Sequence, residues 1–131
     1  MPASDEPLTT GLKYPRKVRL SNAADFRSVF SRAQYKATRR DLLGLAIANR
    51  QNYPRLGLVV PKKHIRTAVE RNRIKRLLRG SFRLNQKALA GLDIVILIRG
   101  GLDSQDNKTI VDHVESIWSD LVSKAESGHR N

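Results

Sequence analysis

Cysteine is missing from this 131-residue chain, which excludes a disulfide framework, a thiolate metal site and a cysteine nucleophile. Aromatic residues are scarce, with three Phe, three Tyr and one Trp, so each has a position to account for. Long apolar runs are also absent. The longest, Leu42–Ala48, has seven residues, whereas a membrane span needs ~18. Residues 1–10 lack the cationic flank and apolar centre of a secretory signal and contain Asp5 and Glu6. A cytoplasmic protein with no membrane partner is expected. Acid is the remaining shortage: between residues 11 and 87 only Asp25, Asp41 and Glu70 oppose 21 Lys or Arg, and the formal net charge of the chain is +13. After residue 87 the balance reverses, with four basic and seven acidic side chains. A basic working half and a C-terminal scaffold follow.

The basic residues are patterned as well as abundant. In the run Arg71-Asn72-Arg73-Ile74-Lys75-Arg76-Leu77-Leu78-Arg79-Gly80-Ser81-Phe82-Arg83, a turn of about 100° per residue puts Leu77, Leu78, Ser81 and Phe82 within roughly 80° of Ile74. That face packs inward. Asn72, Arg76, Arg79 and Arg83 form a ridge on the opposite side, with Arg73 and Lys75 on its shoulders. Arg71 falls inside the apolar arc, where it should flank a groove or pair with an acid. Guanidinium groups fork onto phosphate oxygens, so the ridge points to nucleic acid. Lys62, Lys63 and Arg66 lie at the mouth of the same helix and suit further contact with an RNA backbone.

Along the chain, Asn22 can cap a short helix whose Phe26, Val29, Phe30 and Ala33 recur on one face. A weak edge strand is expected over residues 34–38. Residues 39–49 and 55–61 then read as two paired strands around the turn-forming residues 50–54. Thr67-Ala68-Val69-Glu70 has the capping-box pattern of a helix start, and that helix is predicted to run to about Lys87. Residues 93–99 form a strand apolar enough to be buried on both faces, parallel to the strand before the basic helix. Residues 110–125 form a last amphipathic helix, with Trp118 as a core anchor. The fold class is therefore α+β, a two-layer α/β sandwich of order α-β-β-β-α-β-α. It is expected as one domain over residues 13–126, with tails at 1–12 and 127–131.

The segments 55–63, 68–77 with its Arg-Asn-Arg-Ile-Lys-Arg element, and Ser81-Phe82-Arg83 together resemble the protein subunit of bacterial ribonuclease P. Residues 19–30 resemble that family's first helix and residues 93–99 its last strand. The resemblance implies a protein that binds a catalytic RNA and assists its magnesium-dependent removal of the 5′ leader from precursor tRNA. The RNA would carry the chemistry and most of the magnesium, with no cofactor on the protein, no catalytic side chain and no obligate protein partner. It implies a left-handed crossover through the basic helix, against the usual right-handed rule. It also places Arg71, Asn72, Arg73, Lys75, Arg76 and Arg79 against the RNA subunit, and Phe26 and Phe30 in a cleft for the single-stranded leader. Pattern alone assigns those two phenylalanines to packing against the sheet. Two positions depart from the family: Gly80 stands where Glu is usual, and Leu45 where some members have an aromatic on the cleft floor.

Two other readings compete. A structural RNA-binding protein of ribosomal type would share the composition but not the four ordered segments. A helix-turn-helix DNA reader needs a partner helix one short turn before Thr67, and none is indicated. His64, His113 and His129 have neither the spacing nor the carboxylate neighbours of a metal site or general base.

Overall fold

The computed structural model describes residues 18–20 and 22–129. Helix α1 (Ala23–Arg32) begins where the Asn22 side chain accepts a hydrogen bond from the backbone N–H of Asp25 at 2.8 Å. Strands β1 (Tyr35–Thr38), β2 (Leu42–Ala48) and β3 (Arg55–Val59) follow. Helix α2 (Ala68–Leu84) is capped by the Thr67 hydroxyl, which accepts from the N–H of Glu70 at 3.2 Å. The Glu70 carboxylate does not close the box but turns along the helix to Arg73. A one-turn α3 (Gln86–Leu89), strand β4 (Leu92–Ile98), a 3₁₀ turn (Leu102–Ser104) and α4 (Asn107–His129) complete the chain. The N–H of Thr109 donates to Asp106 at 2.8 Å to start α4.

The α+β class and the element order agree with the sequence reading. The predicted basic helix ends early, at Leu84, where the Asn85 N–H bonds back to Phe82. Helix α4 continues to His129, past the residue 126 expected to end the domain, and the tail expected over residues 1–12 lies outside the described residues. The pairing of the strands needs a larger correction. The sheet order is β1-β2-β4-β3, so β2 and β3 are not neighbours, because β4 runs between them, antiparallel to β2 and parallel to β3. Two strand spacings, about 10 Å, must then be spanned by residues 49–54. They do so as an arch rather than a hairpin turn: Asn49 donates to the carbonyl of Gly91, Gly91 donates to that of Tyr53, and Arg50 takes a φ of 60°. The central place also explains the composition of β4, since Ile94, Val95, Ile96 and Ile98 are all fully buried.

Successive strand residues face opposite sides, and the two sides are covered unequally. Ile94, Ile96 and Ile98 join Leu42, Ala46 and Leu56 beneath Ile74, Leu78 and Phe82 of α2 and Ile110, Val114, Ile117 and Leu121 of α4. Trp118 belongs to this core: its ring meets Phe82 edge-on at 6.0 Å, and its indole N–H donates to the Ser81 hydroxyl at 2.9 Å. Gly44 lets α4 approach β2, because a Cβ there would lie 2.7 Å from Ile117. Among the described helices, the other side carries only α1. There Val29 seals against Val95 and Leu20, with Phe26, Leu45, Ile47 and Val59 packed around them and left partly open. The helices thus divide between the two faces of the sheet.

Helix α1 is fastened to the sheet by charge as well as packing. Arg55 on β3 forks onto Asp93 of β4 at 2.8 and 2.6 Å and reaches Asp25 of α1 at 3.3 Å. The hydrogen bond to Asp93 is the main reason the Arg55 pKa is raised, with burial opposing it. Gly57, next on the same side of β3, carries the Phe26 ring directly on its backbone: a Cβ there would lie 2.5 Å from the ring edge. Gly57→Ala is therefore expected to expel Phe26 and destabilise the fold by about 1–3 kcal/mol. Urea unfolding checks this as a lower midpoint with an unchanged slope.

Candidate nucleic-acid interface

Helix α2 is two-sided as its pattern predicts. Ile74, Leu78, Ser81 and Phe82 are buried and Leu77 partly so, while Asn72, Arg76 and Arg79 are exposed on the opposite face. Lys75 on its shoulder is half-buried, and so, against the pattern, is Arg83 at the end of the ridge itself. Lys62, Lys63 and Arg66 stand exposed on the turn leading into α2, where the N–H groups of His64 and Ile65 both bond to the carbonyl of Pro61. These cations therefore lie on one continuous stretch of chain, on the side of the sheet covered by α2 and α4.

Two arginines of the run are engaged within the protein. Arg71 donates to the carbonyls of Ile65 and Arg66 at 2.9 and 3.1 Å, so it flanks the incoming turn and, among the described residues, pairs with no acid. Arg73 has more partners. It bonds to Glu70 at 2.7 Å, to the Asn107 side chain at 2.6 Å, and to the carbonyls of Asp103 and Gln105 at 3.1 and 3.3 Å. That shoulder of α2 faces the connection into α4, so Arg73 ties the two helices at their N-terminal ends. The outward ridge is carried by Asn72, Arg76 and Arg79, with Arg83 half-buried at its end.

Among the described residues no carboxylate pairs with Arg76 or Arg83. Each of the three carboxylates between residues 11 and 87 has an internal partner: Asp25 meets Arg55, Asp41 meets His113 at 3.0 Å, and Glu70 meets Arg73. Beyond residue 87, Asp93 and Asp120 are likewise taken by Arg55 and Arg39. The positive field over the exposed face of α2 is left standing.

The predicted cleft residues gather on the opposite side of the sheet. Leu45, Val95 and Gly57 stand in one row across β2, β4 and β3. The Phe26 ring lies over Gly57, half-buried, while Phe30, one turn on along α1, is 46% exposed. Phe26 therefore has packing contacts that Phe30 lacks. Leu45, Ile47 and Val59 form the partly open floor beside them. Among the described residues no three His, Asp or Glu side chains gather to hold a metal ion, and no helix is long and apolar enough to cross a membrane.

Comparison with known proteins fits this arrangement. The family model described as Ribonuclease P matches residues 14–122. The chain belongs to the ribonuclease P protein family. It is 44% identical over 108 residues to the ribonuclease P protein component of Chromohalobacter salexigens, covering 82% of this chain and 84% of that one. It is 47% identical over 109 residues to that of Pseudomonas entomophila, covering 83% and 82%. Among solved structures, the RNase P protein from Thermotoga maritima superposes with a TM-score of 0.68 at 30% identity, over 76% of this chain and 94% of that one. The Staphylococcus aureus RNase P protein does so with a TM-score of 0.70 at 26% identity, over 79% and 97%. Membership implies a role in tRNA processing as part of ribonuclease P.

For a ribonuclease P protein, the structure adds side chains that the sequence reading did not single out. Lys36 pairs with Leu45 in register and is exposed, which puts a cation at the β1 edge of the cleft floor. Ile47 and Val59 extend that floor. The available signal was strand alternation, since all three lie on the Leu45 side. The same geometry separates the two kinds of arginine in α2. Arg73→Ala is expected to lower stability by about 1–3 kcal/mol, because it strips hydrogen bonds from a half-buried site. Arg76→Ala, on the exposed face, should stay within about 0.5 kcal/mol of the parent. Thermal melts of both variants check the contrast.

Proposed function

We propose that this chain is the protein subunit of a ribonuclease P holoenzyme, in which the catalytic RNA cleaves precursor tRNA and the protein binds both RNAs. Family membership supports the holoenzyme role, and the observation that carries the binding mode is the row of exposed polar and cationic side chains along α2. Asn72, Lys75, Arg76, Arg79 and Arg83, with Lys62, Lys63 and Arg66, contact the RNA subunit through its phosphates. Arg71 and Arg73 contribute by fixing the turn and the helix that carry them. The protein screens phosphate repulsion and positions substrate. Magnesium is held mainly by the RNA, and the reaction is the endonucleolytic release of the 5′ leader in the cytoplasm.

The leader takes the other face of the sheet. Phe30 offers an exposed ring and Phe26 an edge over a floor of Leu45, Ile47 and Val59. Aromatic and apolar faces accept unpaired bases without selecting one, and Lys36 supplies a phosphate contact at the rim. Leu45 stacks less than an aromatic would, so the Phe30 ring carries more of the contact. The sheet then separates the two RNAs, with the ribozyme on the α2 side and the leader on the α1 side.

Reconstitution tests the reading. Protein alone should leave precursor tRNA intact, while protein with the RNA subunit and magnesium should release the leader; metal-dependent cleavage by the RNA-free protein would sink it. With six to eight phosphates neutralised, the logarithm of RNA-subunit affinity should fall against the logarithm of salt with a slope of roughly −4 to −7. Arg76→Ala should weaken binding and reduce that slope by about 1.

The cleft is tested separately by substrate length. Phe30→Leu should reduce the advantage of a leader-bearing substrate by about 1–3 kcal/mol in binding, with assembly on the RNA subunit retained. Competition between precursor and mature tRNA for the holoenzyme measures this, with a melt of the variant to confirm folding.

A further inference from the structure

Gly80 lies half-buried at the border of the exposed side of α2, between the Arg76–Arg83 ridge and the Arg73 shoulder, without any visible reason inside the protein. It lies within a continuous helix, and the glycines with positive φ are Gly91 and Gly101. A Cβ built at Gly80 meets nothing within 4 Å, in contrast to Gly44 and Gly57, which make room for Ile117 and Phe26. Glycine is the poorest ordinary residue for a helix interior. The chain thus accepts a weaker helix for a gap that its own packing does not use.

A second uncompensated feature lies one turn away. The Nε of Arg83 is enclosed and has no hydrogen-bond partner among the described residues. A buried donor of a charged group without a partner is costly and rare in native proteins. Arg83 is at i+3 from Gly80 and Arg76 at i−4, so both border the gap along the helix surface. Leu84, at i+4, is 68% exposed beside it.

We infer that Gly80 is a gap beside the cationic ridge that seats one phosphate of the partner RNA against the helix, next to Arg76 and Arg83. With no Cβ in the way, a phosphate oxygen can come close to the helix surface. Arg83 turns outward over the gap and forks onto the phosphate, so its Nε gains the partner it lacks. Arg76 closes the seat from the preceding turn, and the apolar side of Leu84 faces the adjoining sugar. The inference rests on the proposed RNA-binding face and deepens it, because it names one contact where shape as well as charge matters.

Gly80→Ala, Arg83→Ala, their combination and Arg76→Ala should be compared by thermal melting and by binding to the RNA subunit at fixed salt. Gly80→Ala is expected to melt roughly 3–5 °C higher and yet bind the RNA about five- to tenfold more weakly. The double variant should lose little beyond Arg83→Ala alone, because both substitutions destroy one seat. If Arg76→Ala weakens binding while Gly80→Ala leaves it unchanged or tighter, the seat is refuted and the RNA-binding face stands. If neither weakens binding, the face itself is refuted and the seat with it. A lower melting temperature for Gly80→Ala would also overturn the inference, since the glycine would then serve the fold.

Discussion

Because β4 carries apolar side chains toward both faces of the sheet, the chain needs two covers, and it has unequal amounts of helix to supply them. The 17 residues of α2 and the 23 of α4 close one face. The other has the ten residues of α1, which seal Val95 through Val29 and leave Leu45, Ile47 and Val59 partly open. In the proposed function this apolar strip receives the leader, whose unpaired bases offer apolar faces. Among the described residues, the partly open strip is a consequence of covering a two-sided strand with a short helix on one side. Its position is held by the Asp25–Arg55–Asp93 bridge and by the ring of Phe26 on Gly57.

Charge is organised by a similar asymmetry. A chain with 25 Lys or Arg and 12 Asp or Glu could distribute its acids over the surface and dilute its field. Here the acids of the basic half are placed as fasteners instead. Asp25 holds α1, Asp41 meets His113 of α4, and Glu70 steadies Arg73, which bridges to the connection before α4. Asp25 and Asp41 each tie two parts of the fold together, and Glu70 steadies the arginine that does so. Structural need and electrostatic need are met by the same carboxylates, and the outward face of α2 stays basic.

Much of this was legible from one sequence because the signals were local. The wheel of α2 separates Ile74, Leu78 and Phe82 from Asn72, Arg76 and Arg79, the caps at Asn22 and Thr67 mark helix starts, and the apolar density of residues 93–99 announces a central strand. What escaped was non-local. Nothing in residues 39–61 says that a strand more than 30 positions later will enter between β2 and β3, since the turn chemistry of residues 50–54 serves an arch as well as a hairpin. The role of Arg73 was hidden for the same reason. On the wheel it is one shoulder and Lys75 the other, and only the arrival of residues 103–107 beside it distinguishes an anchored guanidinium from an outward one. The end of α2 was misjudged by local signals too, since Gln86, Lys87 and Ala88 are good helix formers but follow the break at Asn85.

The anchored and the outward arginines depend on each other. A flexible basic segment could gather phosphates as well as a helix can, but it would have to be ordered on binding, at an entropic cost for every residue fixed. In α2 that ordering is already complete. The Thr67 cap and Arg71 set its start, Arg73 fixes one shoulder, and the Ser81 hydroxyl, bonded to Trp118, holds the far end to α4. The Cα atoms of Arg76 and Arg83 are thereby held about 10 Å apart along the axis, and only the side chains remain to be ordered by RNA. In the proposed binding mode, removing an anchor and removing a contact act through different terms: the first loosens the scaffold before RNA arrives, and the second leaves the scaffold intact with one phosphate unmatched.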